Sequence, residues 1–248
     1  MEFSRIADKK RLKFILDAIT ENVSPGEEIL DVGCGNGIIT AAVGKSGFVV
    51  TGIDASEKTI AAAQAANNLP NVKFMVVVAG ELAVQRGKFS AIICSEVLEH
   101  LQDPSSLLEI LKTSLKDNGI LVVTVPNGRG PRELLVTKPV QYLQKKNNIV
   151  WKLVNGFKKL LGYKGLTVQS SADDLSHIQF FTRRSLGDIA HKHGFRITSI
   201  QKSNFIEQVF PFSLIMKRSQ VLQQLDCKLA DRLPLAFTSG FMMVWRKM

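Results

Sequence analysis

The chain is poor in the residues that mark several protein classes. It has three cysteines in 248 residues, an odd number without metal-ligand spacing, which argues against a disulfide framework and against a zinc site. No apolar run approaches the roughly 20 residues of a membrane-spanning helix. The charged N-terminal segment lacks the apolar core of a secretory signal, and the chain contains no repeat or low-complexity tract. These absences predict a cytoplasmic protein with a single domain.

Histidine is scarce as well, which leaves few candidates for proton transfer near neutral pH. The four histidines are His100, His177, His191 and His193. The last two precede Gly194 at the predicted end of a helix, where a charged imidazole interacts favourably with the helix dipole and a structural role is expected. His100 and His177 remain as candidates for a catalytic base, and the sequence does not choose between them.

The composition is otherwise that of an ordinary globular protein, with 45% hydrophobic and 22% charged residues. The net charge of +10 is unevenly distributed. Between residues 129 and 164 the chain has nine lysines and arginines but only one acidic residue, Glu133. A local basic block predicts a particular partner surface rather than general solubility.

Short apolar segments alternate with helical patterns through most of the chain. The predicted strands are 28–32, 49–54, 72–78, 91–95, 120–125, 196–202 and 237–246. The predicted helices are 1–23, 37–45, 56–67, 104–116, 182–193 and 214–229. Since strands that alternate with helices over short connections are typical of a doubly wound parallel sheet, we predict an α/β fold. The alternation breaks after residue 127, where a long insertion is expected.

The most informative segment is Ile-Leu-Asp-Val-Gly-Cys-Gly-Asn-Gly at residues 29–37. An apolar strand is followed by glycines at 33, 35 and 37, which can reach φ > 0 and let a ligand approach the backbone amides. A strand, a glycine turn and a helix N-terminus together form a nucleotide-sized site for an anionic or carboxylate group. Residue 38 is isoleucine where the dinucleotide fingerprint requires its third glycine. The turn therefore predicts a nucleotide-type cofactor outside the dinucleotide class.

Three further motifs accompany the turn. Residues 89–104 contain Leu-Glu-His followed by Asp-Pro, residues 119–127 end in Val-Pro-Asn, and residues 177–195 run from His-Ile-Gln-Phe-Phe-Thr to Gly-Phe. Together with the turn they resemble the class I S-adenosylmethionine (SAM) methyltransferases. The resembling branch contains the ubiquinone-pathway O-methyltransferases and methyltransferases associated with bacterial surface polysaccharides. The resemblance covers about residues 28–200.

The resemblance implies a Rossmann-like, doubly wound sheet of about seven mostly parallel strands with an antiparallel last strand. One methyltransferase domain would cover residues 1–248. Its predicted parts are an N-terminal helix at 1–25, a basic helical lid insertion at 128–176 and a second helical insertion at 205–235.

The resemblance also implies SAM as cofactor and S-adenosylhomocysteine as product. The residues expected to bind it are Asp31, Gly33, Cys34, Gly35, Gly37, Asp54, Ala55, Ala79 and Cys94. Asp54 ends the second predicted strand, where an acidic side chain can accept hydrogen bonds from two ribose hydroxyls. The family often has an acidic residue at the end of the third strand, but this chain has Val78 there. Adenine would then contact apolar side chains and backbone near Ala79, with Glu81 as another candidate.

SAM carries its own leaving group, so the protein mainly supplies alignment and a dry pocket. An oxygen acceptor also needs a base, for which His100 and His177 are candidates, and Glu96 is a third catalytic candidate. Glu96, Glu99 and His100 are spaced so that, on a helix, they would share one face and could hold a divalent metal. The motif also occurs in metal-free enzymes, and we predict that no metal is bound.

A lysine-rich helix is predicted at residues 149–161. Its apolar side chains fall on one face, and Lys152, Lys158 and Lys159 lie on the other. Such a helix could be a lid packed over the substrate pocket, or it could lie on an anionic membrane surface. Nucleic acid is a disfavoured partner because arginines and stacking aromatics are few and the Asn/Asp-Pro-Pro-Tyr motif of amino-group DNA methylases is absent.

The sequence thus predicts a SAM-dependent methyltransferase that acts on a small-molecule or lipid-linked acceptor, with oxygen as the acceptor atom. The alternatives are a catalytically silent SAM-binding protein recruited to membranes and a methyltransferase of protein or RNA. The predicted location is the cytoplasm. The lysine-rich helix would also allow a peripheral position on the inner face of the membrane.

Overall fold

The structure is a computed structural model that describes residues 3–78, 85–146 and 177–248. Three predictions therefore lie outside the described residues: the cofactor contacts at Ala79 and Glu81, most of the lid insertion, and the lysine-rich helix at 149–161.

A seven-stranded sheet forms the centre of the protein. Its strands are β1 (Glu28–Val32), β2 (Val49–Asp54), β3 (Val72–Val76), β4 (Phe89–Ser95), β5 (Leu115–Pro126), β6 (Phe195–Lys202) and β7 (Gly240–Lys247). The strand order is β3-β2-β1-β4-β5-β7-β6. The first five strands pair in parallel, and β7 is antiparallel to both β5 and β6. This confirms the predicted fold class, including the antiparallel last strand.

Helices cover both faces of the sheet. They are α1 (Ile6–Asn22), α2 (Ile38–Lys45), α3 (Glu57–Ala66), α4 (Pro104–Ser114), α5 (Lys138–Lys146), α6 (Arg183–Lys192), α7 (Phe212–Met216) and α8 (Gln220–Arg232). The central strands are apolar on both faces because each face packs on helices. Ile93 of β4 packs with Ile15 of α1, and its neighbour Ile92 belongs to the cluster that contains Leu108 of α4. The two faces therefore build two separate hydrophobic cores.

The sheet order places the functional segments at one edge. β1 is flanked by β2 on one side and by β4 on the other, so the chain changes direction at β1. In open α/β sheets, ligands bind outside the carboxyl ends of the strands at this switch point. The segments that follow β1, β2 and β4 all begin there, and they contain the glycine turn, Asp54 and the Leu-Glu-His motif.

Several predicted elements have other bounds in the structure: α1 begins at Ile6, β3 ends at Val76, β5 begins at Leu115 and β7 spans Gly240–Lys247. Two further differences concern helices. The helix predicted at 214–229 is split into α7 and α8, because Ser219 caps a new helix by accepting a hydrogen bond from the Leu222 amide at 3.4 Å. The helix predicted to reach residue 116 ends at Ser114, and β5 begins directly at Leu115. Among the described residues, no helix is both long enough and apolar enough to cross a membrane.

Candidate active site

The glycine turn after β1 has the backbone that the sequence predicts. Gly33, Gly35 and Gly37 have φ angles of 68°, 54° and 75°, in the left-handed region that favours glycine. A Cβ on Gly33 would lie 2.4 Å from Cγ2 of Val97, and one on Gly37 would lie 2.6 Å from the Phe74 ring. Because α2 begins at the next residue, the turn also presents a helix N-terminus. The turn can therefore bring backbone amides close to an anionic ligand.

Asp54 holds the turn from the neighbouring strand. Its Oδ2 accepts a hydrogen bond from the Gly35 amide and its Oδ1 accepts one from the Ser56 amide, both at 3.0 Å. Each carboxylate oxygen has a further lone pair. Asp54 thus braces the turn, and its carboxylate oxygens can still accept hydrogen bonds from the hydroxyl groups of a ligand. The predicted contact of Asp54 with a ribose stays a prediction.

Asp31 acts within the protein rather than at its surface. It is 1% exposed, and its Oδ2 accepts a hydrogen bond from the Thr40 hydroxyl at 2.7 Å. Burial raises the pKa of Asp31 to about 7, the Thr40 hydrogen bond opposes the rise, and the charge of Asp54 adds to it. Asp31 therefore ties the end of β1 to α2 and orients the turn.

The remaining described members of the predicted cofactor set differ in exposure. Ala55 is exposed directly after β2. Cys34 is buried, and its amide donates to the Ile53 carbonyl at 2.9 Å. Cys94 is fully buried in the core cluster that also contains Leu30. Burial raises the pKa of both thiols, so neither cysteine is a reactive nucleophile.

Glu96 lies at the carboxyl end of β4 in an unusual conformation. With φ of 59° it is the one non-glycine residue with positive φ in the described ranges, and such residues cluster at functional sites. Its amide donates to the Thr124 carbonyl at 2.8 Å, and its Oε1 accepts from the Thr124 hydroxyl at 3.0 Å. The helix that would have placed Glu96, Glu99 and His100 on one face does not form, because only a short 3-10 turn from Leu98 to His100 follows.

Arg11 is a site residue that sequence reasoning missed. It lies on the buried face of α1, with Nη1 3.4 Å from Glu96 Oε2 and Nη2 3.1 Å from Asp8 Oδ1. A cavity of about 40 Å³ lies beside this pair, with Arg132 and Thr124 also in its wall. The sequence signal was an arginine at the spacing of the apolar positions of the first helix, where a buried cation needs a partner.

Two histidines meet beyond the same strand end. The rings of His100 and His177 are 5.2 Å apart between centroids, in an edge-to-face arrangement. His177 lies before the helix and does not open it, because α6 begins at Arg183 with Thr182 as its cap. The stretch after His177 is instead fastened to the 3-10 turn: the amides of Ile178 and Gln179 donate to the Glu99 carbonyl at 2.8 and 2.9 Å.

Each of these histidines lies beside a buried carboxyl group. Oε1 of Glu99 is 3.8 Å from Nε2 of His100, and Oε1 of Glu133 is 3.3 Å from Nδ1 of His177. We call Glu99, His100, Glu133 and His177 the histidine cluster. One nitrogen or oxygen atom from each of Glu99, His100 and His177 comes within 4.8 Å of the others, close enough for all three to contact one bound atom. The prediction that no metal is bound stays a prediction.

The two carboxyl groups have opposite electrostatics. Burial, followed by the charge of Glu96, raises the pKa of Glu99 well above its usual range, and Arg11 and Arg132 only partly oppose this. Burial would also raise the pKa of Glu133, but the hydrogen bond and charge of His177, together with Arg132, lower it below the usual value. Glu99 is therefore the carboxyl group of the cluster that keeps its proton more readily, and Glu133 is the one that loses it more readily.

Comparison with known proteins agrees with this geometry. A family model described as a methyltransferase domain matches residues 5–200. The chain is 34% identical over 127 residues to the ubiquinone biosynthesis O-methyltransferase of Haemophilus ducreyi, which covers 48% of this chain and 54% of that protein. It is 32% identical over 156 residues to the protein of the same name from Pasteurella multocida, with 58% and 64% covered. The matches span less than two thirds of the length of these relatives.

Solved structures have the same fold. A SAM-dependent methyltransferase from Mesorhizobium loti has a TM-score of 0.62 at 18% identity and covers 97% of this chain and 100% of that one. A magnesium protoporphyrin IX methyltransferase from Synechocystis, with S-adenosylhomocysteine bound, has a TM-score of 0.58 at 16% identity and covers 98% and 84%. From the family match, the chain belongs to the methyltransferase-domain family, as a class I SAM-dependent methyltransferase related to the ubiquinone biosynthesis O-methyltransferases.

Proposed function

We propose that this protein transfers the methyl group of SAM to a hydroxyl oxygen of a small-molecule or lipid-linked acceptor. The observation that carries the proposal is the close approach of Val97 to Gly33 of the glycine turn, directly before the segment that carries His100. Val97 would be touched by a Cβ on Gly33, and the 3-10 turn that ends at His100 begins at the next residue. A cofactor held by the turn and a proton acceptor for the substrate would therefore be neighbours.

The residues of the turn suit SAM. Three glycines with positive φ let a carboxylate-bearing ligand approach the backbone, and Asp54 retains lone pairs for hydroxyl groups. When bound, SAM supplies an electrophilic methyl group and its own leaving group. What the chain must add is alignment, exclusion of water and a place for the acceptor's proton.

Oxygen is favoured as the acceptor atom by two independent considerations. A hydroxyl attacks a methyl group far more readily as it loses its proton, and His100 and His177 can take that proton near neutral pH. The relatives with about one-third identity are named as O-methyltransferases. The fold alone would not favour oxygen, because one structural neighbour with a TM-score of 0.59 is named as an N1-methyltransferase.

A methyl-transfer screen tests the proposal. The full-length chain is incubated with methyl-tritiated SAM and with fractionated quinones, glycans and lipids, and the methylated atom of any product is identified by NMR. We expect an O-methyl product in one fraction and none with heat-inactivated protein. A product methylated only on nitrogen or on a macromolecule would contradict the proposal, and so would SAM binding without transfer to any fraction.

The lipid-linked form of the acceptor has separate support. Phe210, Phe212 and Ile215 are 55%, 46% and 63% exposed, and Lys217 and Arg218 follow them directly. Large exposed apolar side chains beside basic residues suit an anionic lipid surface. The lysine-rich helix predicted at 149–161 would add to this surface, and its membrane contact is part of the proposal.

Vesicle flotation tests the membrane contact. We expect the protein to float with vesicles that contain phosphatidylglycerol and less with pure phosphatidylcholine. The variant Phe212→Glu should weaken flotation, whereas Met75→Glu, at a comparably exposed residue of β3 (52%), should not. If the wild-type chain stays at the bottom of the gradient with both vesicles, the acceptor is not presented on a membrane and the small-molecule form remains.

A further inference from the structure

Glu133 is the one acidic residue of the basic block, and nothing in the sequence gave it a role. In the structure it is fully buried. It begins a π-helical turn, Glu133–Thr137, immediately before α5. Single π turns are rare in proteins. Where they occur they are often part of a functional site, because the extra residue in the turn changes the direction of the side chains. A carboxylate is costly to bury unless it is paired, so its position calls for a partner.

The partner is His177. Glu133 Oε1 lies 3.3 Å from His177 Nδ1, the distance of an ion pair when the imidazole is charged. Hydrogen bonds on both sides of this contact hold the two segments together. The Gly128 amide donates to the Phe181 carbonyl at 2.6 Å, and Gln141 Nε2 donates to the His177 carbonyl at 3.0 Å. The segment that carries Glu133 is thus tied to the stretch that carries His177, before and after the π turn.

The neighbouring pair lacks this arrangement. Glu99 Oε1 lies 3.8 Å from His100 Nε2, beyond hydrogen-bond distance. The carboxyl oxygens of Glu99 and of Glu133 are alike in being buried without a hydrogen bond to the described residues, so the two pairs differ in distance and in charge. Burial and the charge of Glu96 raise the pKa of Glu99, whereas His177 and Arg132 lower the pKa of Glu133, and a carboxyl group that loses its proton more readily orients an imidazole more strongly. The two histidines of the cluster are therefore not equivalent.

We propose that Glu133 is a positioning residue that holds His177 with its proton on Nδ1, which leaves Nε2 as the basic nitrogen of the site. A carboxylate at one imidazole nitrogen fixes the tautomer and the ring orientation for the other. The assignment makes His177, rather than His100, the base of the reaction, and in this it rests on the proposed O-methyl transfer.

The step balances with these groups. As the acceptor oxygen forms its bond to the methyl carbon, the carbon–sulfur bond breaks and its electron pair stays on sulfur. The proton of the acceptor hydroxyl moves to His177 Nε2. The resulting imidazolium lies beside the Glu133 carboxylate, which stabilises its charge, and the proton later leaves to water. Arg132, whose charge also acts on Glu133, helps to keep that carboxylate ionised.

Nitrogen NMR tests the positioning without any acceptor. The chain has only four histidines, so a sample labelled with ¹⁵N-histidine is simple to assign, with His177→Gln identifying the signal of interest. In alkaline buffer we expect the neutral His177 ring in the Nδ1–H tautomer. In Glu133→Gln, which keeps the size of the side chain, this preference should be lost. An Nε2–H tautomer in the wild-type protein overturns the proposal, even if the variant does not fold.

A matched control is available within the same protein. Glu109 Oε1 lies 3.6 Å from His193 Nδ1. His193 follows the last residue of α6, and neither residue belongs to the histidine cluster. Glu109→Gln should leave the His177 signals unchanged. If it changes them as much as Glu133→Gln does, the effect is a general response to lost charge and the proposal fails.

Kinetics separate this proposal from the proposed function. With the acceptor found by the methyl-transfer screen, Glu133→Gln should lower kcat by about 10- to 100-fold, the size expected for a group that orients a functional histidine. KM and the Kd of SAM should stay within about two-fold, and Glu133→Asp should recover part of the rate. The predicted tautomer without any methyl transfer would refute only the proposed function. Methyl transfer with an unchanged tautomer in Glu133→Gln would refute only the role of Glu133.

Discussion

The glycine turn and the histidine cluster lie beside each other but are built in different ways. The turn comes from nine consecutive residues and acts through its backbone, which Asp54 and Asp31 brace from β2 and from the core. The cluster comes from three segments, around residues 100, 133 and 177, and acts through side chains whose charges depend on burial. One half of the site is thus fixed by local sequence and the other by tertiary contacts.

The difference has a chemical meaning. Cofactor binding needs a surface that never changes, and a glycine backbone with fixed φ angles provides it. Proton transfer needs groups whose pKa values differ from their usual ones, and only burial and neighbouring charges supply that. Substitutions in the turn should therefore change SAM affinity, whereas substitutions in the cluster should change the rate and leave SAM affinity intact.

The largest difference between the glycine turn and the histidine cluster is expected when the proposed base, His177, is replaced. His177→Gln should lower kcat by about 10²- to 10⁴-fold, the usual contribution of a general base, while the Kd of SAM stays the same. His100→Gln serves as the matched variant and should cost about 10-fold or less, since Glu99 lies 3.8 Å from His100 whereas Glu133 lies 3.3 Å from His177. The assay is steady-state methyl transfer to the acceptor found in the screen. Equal losses in the two variants would remove the distinction between the histidines.

The bracing carboxyl group of the turn should govern the pH dependence of stability. The pKa of Asp31 is about 7 in the folded protein against 3.8 as the ordinary value, so the folded state binds the extra proton between these pH values. The free energy of unfolding should therefore fall as pH rises from about 4 to 7, by up to about 4 kcal/mol from this group.

Asp31→Asn should remove that part of the slope, because the amide does not titrate and its oxygen can still accept from Thr40. Urea unfolding of both proteins between pH 4 and 8 measures the difference. The exposed Asp17 of α1 provides the control, and Asp17→Asn should leave the slope as it is. A parallel pH dependence of wild type and Asp31→Asn would show that Asp31 is not the buried acid described here.

A smaller effect is expected from a side chain in the turn itself. Gly33→Ala places a Cβ 2.4 Å from Val97 at φ of 68°, and the left-handed backbone alone costs about 1–2 kcal/mol. We expect SAM affinity to fall by at least about 10-fold, which corresponds to about 1.4 kcal/mol.

Gly26→Ala is the matched control for Gly33→Ala. Its φ is 84°, but a Cβ there has nothing within 4 Å, so this variant carries the backbone strain without the steric contact. Titration calorimetry should find normal SAM affinity for it. If both variants bind SAM as the wild type does, the turn is not the cofactor site.

The smallest effect should come from the cap of the helix behind the turn. Ser56 Oγ accepts from the Thr59 amide at 3.3 Å and caps α3. Ser56→Ala should lower the free energy of unfolding by about 1 kcal/mol and leave kcat unchanged. Ser56→Asp is the control and should keep the cap. A large loss of activity in Ser56→Ala would mean that the cap belongs to the site and not to the scaffold.

The same contrast between local sequence and tertiary contacts explains which parts of the fold and of the site could be predicted from the sequence. The strands and the glycine turn are properties of contiguous residues, and the structure contains them at the predicted places with several strand ends shifted. The split between α7 and α8 was missed because Ser219 reads equally well as a residue inside a helix and as its cap. A tertiary choice of this kind leaves little trace in a single sequence.

The cluster was harder to predict for a physical reason. His100 and His177 could be named, but not brought together, because their contact depends on the path of the chain between them. Glu133 and Arg11 were missed since a charged residue gives no local sign that it will be buried against a partner. The only sequence signal for Glu133 was an isolated acidic residue in the basic block, and the only one for Arg11 was an arginine on the apolar face of a helix. Both signals can be interpreted only once the structure is known.

The most direct test of the account is a calorimetric titration of SAM into three proteins: the wild type, Asp54→Ala and His177→Gln. Asp54→Ala removes the hydrogen bond that holds the turn at Gly35 and the one from the Ser56 amide, whereas His177→Gln changes only the histidine cluster. We expect binding to the wild type, equal binding to His177→Gln and binding to Asp54→Ala that is lost or at least about 10-fold weaker. No binding to the wild type, or equal binding to wild type and Asp54→Ala, would contradict it.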